Sequence, residues 1–348
     1  MVITTIMTTA LASCNVTRAP QNPTEDFDEE IRIKPEKIID SESLGILFPA
    51  YLHLHDGWIV TQDFAKGAKQ ICFVSMGYDK VIRGIDVGRG PDEMSAAGRL
   101  GADDDGVYLY DNNMHRVFTL EICDDTLRIT DKRDFDNYGG TPVTYDRNHV
   151  LQTTFTDSLL MKLSANDGEV ISCIDYPKKD GLDGYNHLGK NSIYCNSTIA
   201  VSPDRKHFAI APFHIGLYIF GDIENERLHT SQERHYYDMK IADSRYESDF
   251  IVPSHDSKIN SFYSFGTERH AVFLYSGDPN SKNPFSGKDI LIFGWDGEPV
   301  AHLKSEYDLN SICYDESRKI IIAIGFAPEP SILEFDMKDI IKTYDIDI

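Results

Sequence analysis

The sequence has few basic residues for its acidic content. Its 348 residues include 34 Lys and Arg against 56 Asp and Glu, which gives a formal net charge of −22. Phosphate backbones and acidic lipid headgroups are bound by clustered cations, and no stretch of the chain is rich in Lys or Arg. The composition therefore argues against nucleic acid as a partner and against direct binding to a membrane surface. The excess of negative charge is typical of a self-repelling, soluble surface.

Long apolar runs and the common catalytic motifs are missing as well. No segment is apolar for the roughly 18 residues that a membrane-spanning helix needs. The sequence contains no Gly-x-Ser-x-Gly elbow, no P-loop and no His-Glu-x-x-His motif. Its six cysteines include no Cys-x-x-Cys pair, which excludes zinc-ribbon and thioredoxin-like sites. Cys173 and Cys195 are free thiols or a disulfide pair, and the sequence leaves both alternatives open.

The N-terminus resembles the export signal of a bacterial lipoprotein. Residues 1–13 form a short, uncharged, mildly apolar stretch, and Leu11-Ala12-Ser13-Cys14 matches the lipobox of that class. The resemblance implies a signal peptide over 1–13 and a lipid attached to the thiol of Cys14. It also implies a periplasmic or outer-membrane lipoprotein of the cell envelope, bound to the membrane through this anchor only. The usual Lys or Arg at the start is missing, and the alternative is a leader with a chance cysteine.

Residues 14–30 are polar, acidic and contain proline, which predicts a flexible tether. After residue 30, helical periodicity is scarce and short β-branched or aromatic runs recur between turn dipeptides. Asp-Gly steps such as Asp167-Gly168 and Asp296-Gly297 supply the positive φ of tight hairpins. Six units of four strands align along the chain. They begin near Ala50, Gly98, Pro142, Ser197, Ile259 and Leu309.

We therefore predict an all-β fold, a six-bladed β-propeller over residues 31–348. The last unit lacks an outer strand, whereas the apolar run over residues 31–39 has no unit of its own. Adding that run to the last unit would remove the open sheet edge that a ring of blades otherwise leaves. The last blade is thus predicted to be closed by an N-terminal strand.

Two short stretches carry a family resemblance. Ser202-Pro203-Asp204 is similar to the Ser-Pro-Asp-Gly turn of TolB-type blades, with Arg205 in place of Gly. The run from Gly88 to Met94 resembles the Gly-x-Gly-Pro-Gly-Glu-Phe loop of TolB-like/NHL-like six-bladed lipoproteins of Gram-negative bacteria. Asp92 replaces a Gly of that loop, and Met94 replaces its aromatic residue. The resemblance implies a fold and a compartment rather than a reaction.

The predicted ligand face consists of the loops that enter each inner strand and the loops that join the second and third strands. Such loops carry function more often than strands do. The candidate ligand-face residues are Arg89, Asp92, Glu93, Asn112, His115, Tyr138, His187, His214, His255 and Asp278. The loop around Arg89 has an alternative interpretation as a purely structural turn, because Gly and Pro set its backbone.

These features favour a binding or scaffold module that contacts a protein, peptide or glycan through this face. The alternative is a metal-dependent hydrolase or lyase with its site at the mouth of the central channel. That alternative depends on the loop histidines and on His53 and His55, which alternation places on one face of a strand. No cofactor and no catalytic residue is predicted for the binding module; Ca²⁺ or Zn²⁺ in the channel belongs to the enzyme alternative.

Overall fold

The structure is a computed structural model that describes most of the chain from residue 20 onward. The described residues are 20–348 except 96, 104–105, 112, 135–138, 156, 166, 179, 243–249, 281, 283–284, 345 and 347, and the side chains of 97, 103, 139 and 144 are also left aside. Cys14 and the signal peptide over 1–13 lie outside the described residues, as do the candidate ligand-face residues Asn112 and Tyr138.

The described residues form β-strands almost throughout. In chain order the strands are β1 (Glu30–Ile33), β2 (Lys37–Asp40), β3 (Pro49–His55), β4 (Trp58–Asp63), β5 (Ile71–Ser75), β6 (Val81–Gly84), β7 (Asp86–Val87), β8 (Glu93–Met94), β9 (Ala97–Asp103), β10 (Gly106–Asp111), β11 (Arg116–Cys123), β12 (Thr126–Asp134), β13 (Gly139–Thr144), β14 (His149–Thr154), β15 (Met161–Ala165), β16 (Val170–Ile174), β17 (Ser197–Val201), β18 (His207–Pro212), β19 (Gly216–Glu224), β20 (Arg227–Tyr237), β21 (Ser261–Gly266), β22 (His270–Tyr275), β23 (Gly287–Gly294), β24 (Pro299–Asp315), β25 (Ile320–Phe326) and β26 (Pro330–Asp336). The helices are α1 (His187–Tyr194) and α2 (Lys338–Tyr344). Within the described part of the chain, no helix has the length and apolar character needed to cross a bilayer.

The strands build a β-propeller from four separate four-stranded sheets and one eight-stranded sheet. Strands β3 to β6, β9 to β12, β13 to β16 and β17 to β20 each form one antiparallel sheet. The main path of the eight-stranded sheet runs β2-β26-β25-β24-β23-β22-β21, and β1 pairs with β24 beside it. The two-residue strands β7 and β8 form a small parallel pair.

The prediction of six separate blades needs a correction, because the last two predicted units share the eight-stranded sheet. Strand β24 is 17 residues long, pairing with β23 through Lys304 and with β25 from Asp308 onward. The start of a sixth unit near Leu309 predicts a loop just before it, at Tyr307-Asp308. Residues 300–315, however, contain neither Gly nor Pro. The chain therefore continues as a strand instead of turning.

The N-terminal strands attach to this last sheet. Strand β2 pairs antiparallel with β26, with Lys37 opposite Glu334 and Asp40 opposite Ser331. The predicted closing of the last blade by an N-terminal strand is therefore confirmed for β2. Strand β1 instead pairs in parallel with the first part of β24, Glu30 lying opposite His302.

The apolar cores lie between neighbouring sheets. One core joins Phe73 of the first sheet to Phe118 of the second. Another joins Phe220 of the fourth sheet to Phe273 of the eight-stranded sheet. Within the eight-stranded sheet, Leu274 on one side of β24 and Ala323 on the other belong to the same buried core. The two halves of this sheet thus pack on each other as neighbouring sheets do elsewhere in the molecule.

The segment just before β1 also contacts the propeller, which differs from a tether extending to residue 30. Arg234 Nη1 lies 3.1 Å from Asp26 Oδ2, and the Tyr236 hydroxyl donates to the same oxygen at 2.6 Å. The Phe27 ring packs edge-on against Phe293, with centroids 5.2 Å apart. Ordered contacts therefore begin before the predicted domain start at residue 31.

The N-terminal strands offer a matched pair of isoleucines for testing this attachment. Ile33 is 3% exposed in a buried core, whereas Ile38 on the edge strand is 46% exposed. We expect Ile33→Ala to lower the free energy of unfolding by about 2–5 kcal/mol, because it leaves a cavity. We expect Ile38→Ala to change it by less than about 0.5 kcal/mol. Urea unfolding followed by circular dichroism measures both, and equally small effects would show that β1 is not part of the folded core.

Candidate functional site

The loop from Gly88 to Met94 is held by its own side chains. Glu93 Oε2 accepts a hydrogen bond from the Gly90 N–H at 2.7 Å, and the Gly88 N–H donates to the Met94 carbonyl at 2.9 Å. A Cβ on Gly88 would lie 1.9 Å from Glu93 Oε2, so a side chain at residue 88 would displace this carboxylate. Asp92 forms an ion pair with Lys132. Glu93 and Asp92 thus have structural partners, as the structural-turn interpretation expects.

Arg89 differs from Asp92 and Glu93 because it lines a cavity. It is exposed and lines a shallow cavity of about 630 Å³ together with Val87, Ser95, Asn113 and Met114. Ser95 is fixed there by Asp111, whose Oδ2 accepts the Ser95 N–H at 2.6 Å. Of the three charged candidates in this loop, Arg89 is therefore the one that lines this cavity.

The remaining described candidates do not come together. His187 begins helix α1, which the sequence analysis had assigned to a loop, and His255 lies in another exposed loop. His115 is half-buried with φ +52°, and Asp278 forms an ion pair with Lys282 at 3.0 Å. Burial lowers the pKa of His214 to about 4, and its ring packs edge-on against Phe213.

One group of three potential metal ligands occurs in the part of the chain that the structure describes. Glu30, Asp289 and His302 have ligand atoms within 4.8 Å of one another. They lie on β1, β23 and β24 rather than at the channel mouth, where the enzyme alternative placed a metal. Lys304 Nζ lies 2.9 Å from Glu30 Oε2 and 3.4 Å from Asp289 Oδ1. The ammonium group of Lys304 thus supplies the cation for these two carboxylates.

The predicted ligand face is rich in exposed apolar side chains. Strands alternate in direction, so the loops entering first strands and the loops joining second to third strands lie at the same end of each sheet. We call this end the loop face. Ten large exposed apolar residues lie there, at strand ends or in loops: Leu47, Phe48, Phe64, Val87, Phe155, Tyr185, Phe250, Val252, Phe285 and Phe326.

Neighbouring groups hold several of these residues in place. Asp63 is almost fully buried at the end of β4, and its Oδ1 accepts the N–H groups of Phe48 and Ala65, both at 3.0 Å. The rings of Phe155 and Phe250 stack with centroids 6.3 Å apart. Phe285 packs against Phe213 at 5.6 Å. None of these aromatic residues is among the candidates predicted from the sequence, although each lies in or beside a predicted loop.

The central channel contains a second cavity, of about 670 Å³. Its lining includes residues of β3, β9, β13, β17, β21 and the second part of β24, which are the inner strands of the six predicted units. It extends to the hairpin turns at His55-Asp56-Gly57, Ser202-Pro203 and Asp315, at the end opposite the loop face. The prediction that the loop face is the ligand-facing side therefore does not account for this cavity.

Arg99, in β9, is one of the polar residues that line the channel cavity. Burial lowers the pKa of its guanidinium, and Tyr51, Tyr263 and Tyr110 act in the opposite direction. Alternation along the strand that opens the second unit near Gly98 could have placed this arginine on one face of that strand. It could not have shown that this face lines the channel.

His53 lies beside Arg99. Its Nε2 is 2.9 Å from the Leu100 carbonyl, which can only accept, so Nε2 carries the proton. Burial is the main cause that lowers the pKa of His53 to about 4. The hydrogen bond to the Leu100 carbonyl opposes this shift, and the positive charge of Arg99 adds to it. His53 and His55 both line the channel cavity, and so does Leu54 between them. The placement of the two histidines on one face of the strand therefore stays a prediction.

Comparisons with known proteins support the fold and go no further. No protein-family model matches the chain, and no curated protein matches its sequence. The chain is similar to the crystal structure of a DUF4221 family member from Bacteroides vulgatus, with a TM-score of 0.52 and 10% identity over 87% of this chain and 96% of that one. This identity shows a shared fold alone. The resemblance to TolB-like/NHL-like propellers stays a prediction.

Two further solved structures resemble the chain at TM-scores below 0.5. One is a Bacteroides fragilis protein whose name describes it as exported, with a TM-score of 0.49 and 10% identity over 88% of this chain and 99% of that one. The other is the β-propeller domain of Cps50 (Swd1) from Myceliophteria thermophila, with a TM-score of 0.44 and 10% identity over 87% and 98%. These two likenesses are too distant to support an argument about this chain.

The neutral state of His53 predicts a pH dependence of stability. Its pKa is about 4 in the folded protein and about 6.5 in the unfolded chain, so between these values the unfolded chain binds more protons at residue 53. The free energy of unfolding therefore falls as the pH falls through this window. We expect the free energy of unfolding to fall less steeply with decreasing pH in His53→Gln than in the wild type. Urea unfolding between about pH 4 and about pH 6.5 measures this slope. His255→Gln is the matched control, and identical slopes in the wild type and His53→Gln would contradict the assignment.

Proposed function

We propose that this protein is a binding module that contacts a protein or peptide partner through its loop face. The observation that carries the proposal is the concentration of exposed aromatic side chains on that face. Phe48 is 62% exposed and Phe285 is 59% exposed. The backbone of Phe48 is held by the buried Asp63, and the ring of Phe285 packs against the half-buried Phe213. Aromatic residues are enriched at the centres of protein interfaces, where they dominate the binding energy.

The distribution of apolar surface favours this end of the molecule. Of the 14 large exposed apolar residues in the described part of the chain, ten lie on the loop face, and the other four (Ile38, Val170, Val300 and Tyr344) lie on outer strands or in α2. Monomeric proteins rarely expose many apolar side chains at one place without a partner. A glycan that stacks on the aromatic rings remains the second partner class for the same surface.

The enzyme alternative has less support. The candidate histidines of the loop face form no metal-ligand cluster within the described residues. In the one such cluster that these residues contain, Glu30 is paired with the ammonium group of Lys304. We therefore favour binding over metal-dependent hydrolysis or elimination.

We also propose that the ring has six blades. In this interpretation β24 supplies the outer strand of the fifth blade through Lys304 and the inner strand of the sixth from Asp308. Two observations support it: the channel cavity is lined by one strand from each of the six units, and the two halves of the eight-stranded sheet share a buried core.

The cellular location that we propose is the cell envelope, with a lipid on Cys14 as the membrane anchor. The support is the lipobox-like sequence from Leu11 to Cys14, followed by a polar, acidic segment. Within the described residues, the segment before β1 already contacts the propeller at Asn22, whose side-chain oxygen accepts from Lys258 Nζ at 2.6 Å. A polar segment before that point would separate the anchor from the propeller.

The loop face is tested with a peptide library selected on the immobilised protein. We expect enriched peptides to contain apolar residues and to bind Phe48→Asp/Phe285→Asp at least about thirtyfold more weakly in fluorescence polarisation, as for the loss of a hot spot. Ile38→Asp/Val300→Asp is the matched control, because it places the same charges on exposed apolar positions outside the loop face.

The same two double variants are compared on a glycan array. Glycan binding that the loop-face variant alone loses would assign the surface to a glycan instead of a peptide. If neither library yields a ligand, or if both variants bind equally well, the loop face is not the binding surface.

The anchor is tested by expressing the full chain in a Gram-negative bacterium and partitioning cell extracts into Triton X-114. We expect the wild type in the detergent phase and Cys14→Ser in the aqueous phase, because the substitution removes the acylated thiol. Cys173→Ser is the matched control, since Cys173 is a free, exposed thiol. Aqueous partition of the wild type would exclude a lipid anchor.

A further inference from the structure

Among the described residues, the lining of the channel cavity contains more arginines than aspartates. The arginines are Arg99, Arg205 and Arg318, and the aspartates are Asp56 and Asp315, in a chain with a net charge of −22. Asp315 lies 3.8 Å from Arg318 Nη1, and Arg318 Nη2 lies 3.3 Å from Glu334. Asp56 lies 3.5 Å from His55 Nε2. Both aspartates thus have a neighbour other than Arg99 at the turns.

Arg99 has no hydrogen-bond or ion-pair partner within the described part of the chain. The groups whose charge acts on it are tyrosine hydroxyls, and none is a carboxylate. One of them is already engaged, because the Tyr263 hydroxyl donates to the Leu52 carbonyl at 2.6 Å. Arg99 is half-buried and lines the cavity, and a guanidinium that is partly withdrawn from water is stabilised by a counter-charge. An anion in the cavity would supply that counter-charge.

The rest of the lining suits a compact organic ligand. Tyr51, Tyr108, Tyr110, Tyr145, Tyr263 and Tyr314 supply aromatic surface and hydroxyl groups. A volume of about 670 Å³ is in the range of small-molecule sites. We propose that the channel cavity binds a small organic carboxylate, with Arg99 pairing with the carboxylate group and the tyrosines contacting the ring of the ligand. Guanidinium and carboxylate match each other in geometry, since both are planar and can form two parallel hydrogen bonds.

This site is independent of the proposed partner surface, because the cavity reaches the turns at the end opposite the loop face. Two sources of carboxylate are compatible with the lining: an aromatic acid and an acidic sugar. Both present a carboxylate on a six-membered ring, and the experiment distinguishes them.

The test is saturation-transfer NMR and calorimetry on the purified full chain with two matched pairs of probes. Benzoate is compared with benzamide, and D-glucuronate with D-glucose. We expect one anion of a pair to bind while its neutral counterpart does not, which identifies the source. We expect Arg99→Gln to weaken that binding at least about tenfold, as for the loss of a hydrogen-bonded charge. Arg128→Gln, which removes an exposed arginine from the outer strand β12, should bind as the wild type does.

Two further measurements separate a binding role of Arg99 from a structural one. Arg99→Met should melt at the same temperature as the ligand-free wild type or higher, because it removes a half-buried charge that has no counter-charge beside it. In the wild type, the bound anion should raise the pKa of His53 above its value of about 4, as followed by the histidine ¹⁵N shifts. The proposal is overturned if neither anion binds, if the neutral probes bind equally well, or if Arg99→Gln binds as tightly as the wild type. It is equally overturned if Arg99→Met melts lower.

Discussion

Closure of the ring is the constraint on which the rest of the structure depends. Every propeller sheet ends in a strand edge with unpaired backbone groups, and a ring must pack its last sheet against its first. Here β2, from the start of the chain, supplies the outermost strand of the last sheet by pairing with β26. The same sheet packs against the first one, because Ile322 and Ile332 share a core with Ile59. This closure holds the inner strands around the channel and the loops at one end.

The two candidate sites follow from this arrangement but depend on different chemistry. On the loop face, a buried carboxylate such as Asp63 fixes the backbone from which exposed aromatic rings project. In the channel, the inner strands direct an arginine into a space enclosed by tyrosines. A rigid ring can thus carry an apolar surface at one end and a cationic cavity that reaches the other.

Local sequence patterns predicted much of the fold. The predicted hairpin glycines Gly168 and Gly297 have positive φ (+89° and +81°), and Arg205 has the positive φ (+62°) of the glycine that it replaces in the predicted turn. Three features were not predicted, one of local origin and two that depend on contacts between distant residues. Helix α1 contains Gly189 and forms where Asn186 caps it, β24 continues through an expected loop, and the channel position of Arg99 depends on which face of β9 turns inward.

Hydrogen exchange of the segment over residues 30–40 tests the central claim most directly. If β1 and β2 are integral strands of the closing sheet, this segment should exchange as slowly as the segment over 330–336, to which β2 is bonded. Mass spectrometry of peptides covering both segments gives the comparison in one experiment on the wild-type chain. Matching protection is the result that ring closure predicts. Complete exchange of 30–40 within seconds, with 330–336 still protected, would contradict it.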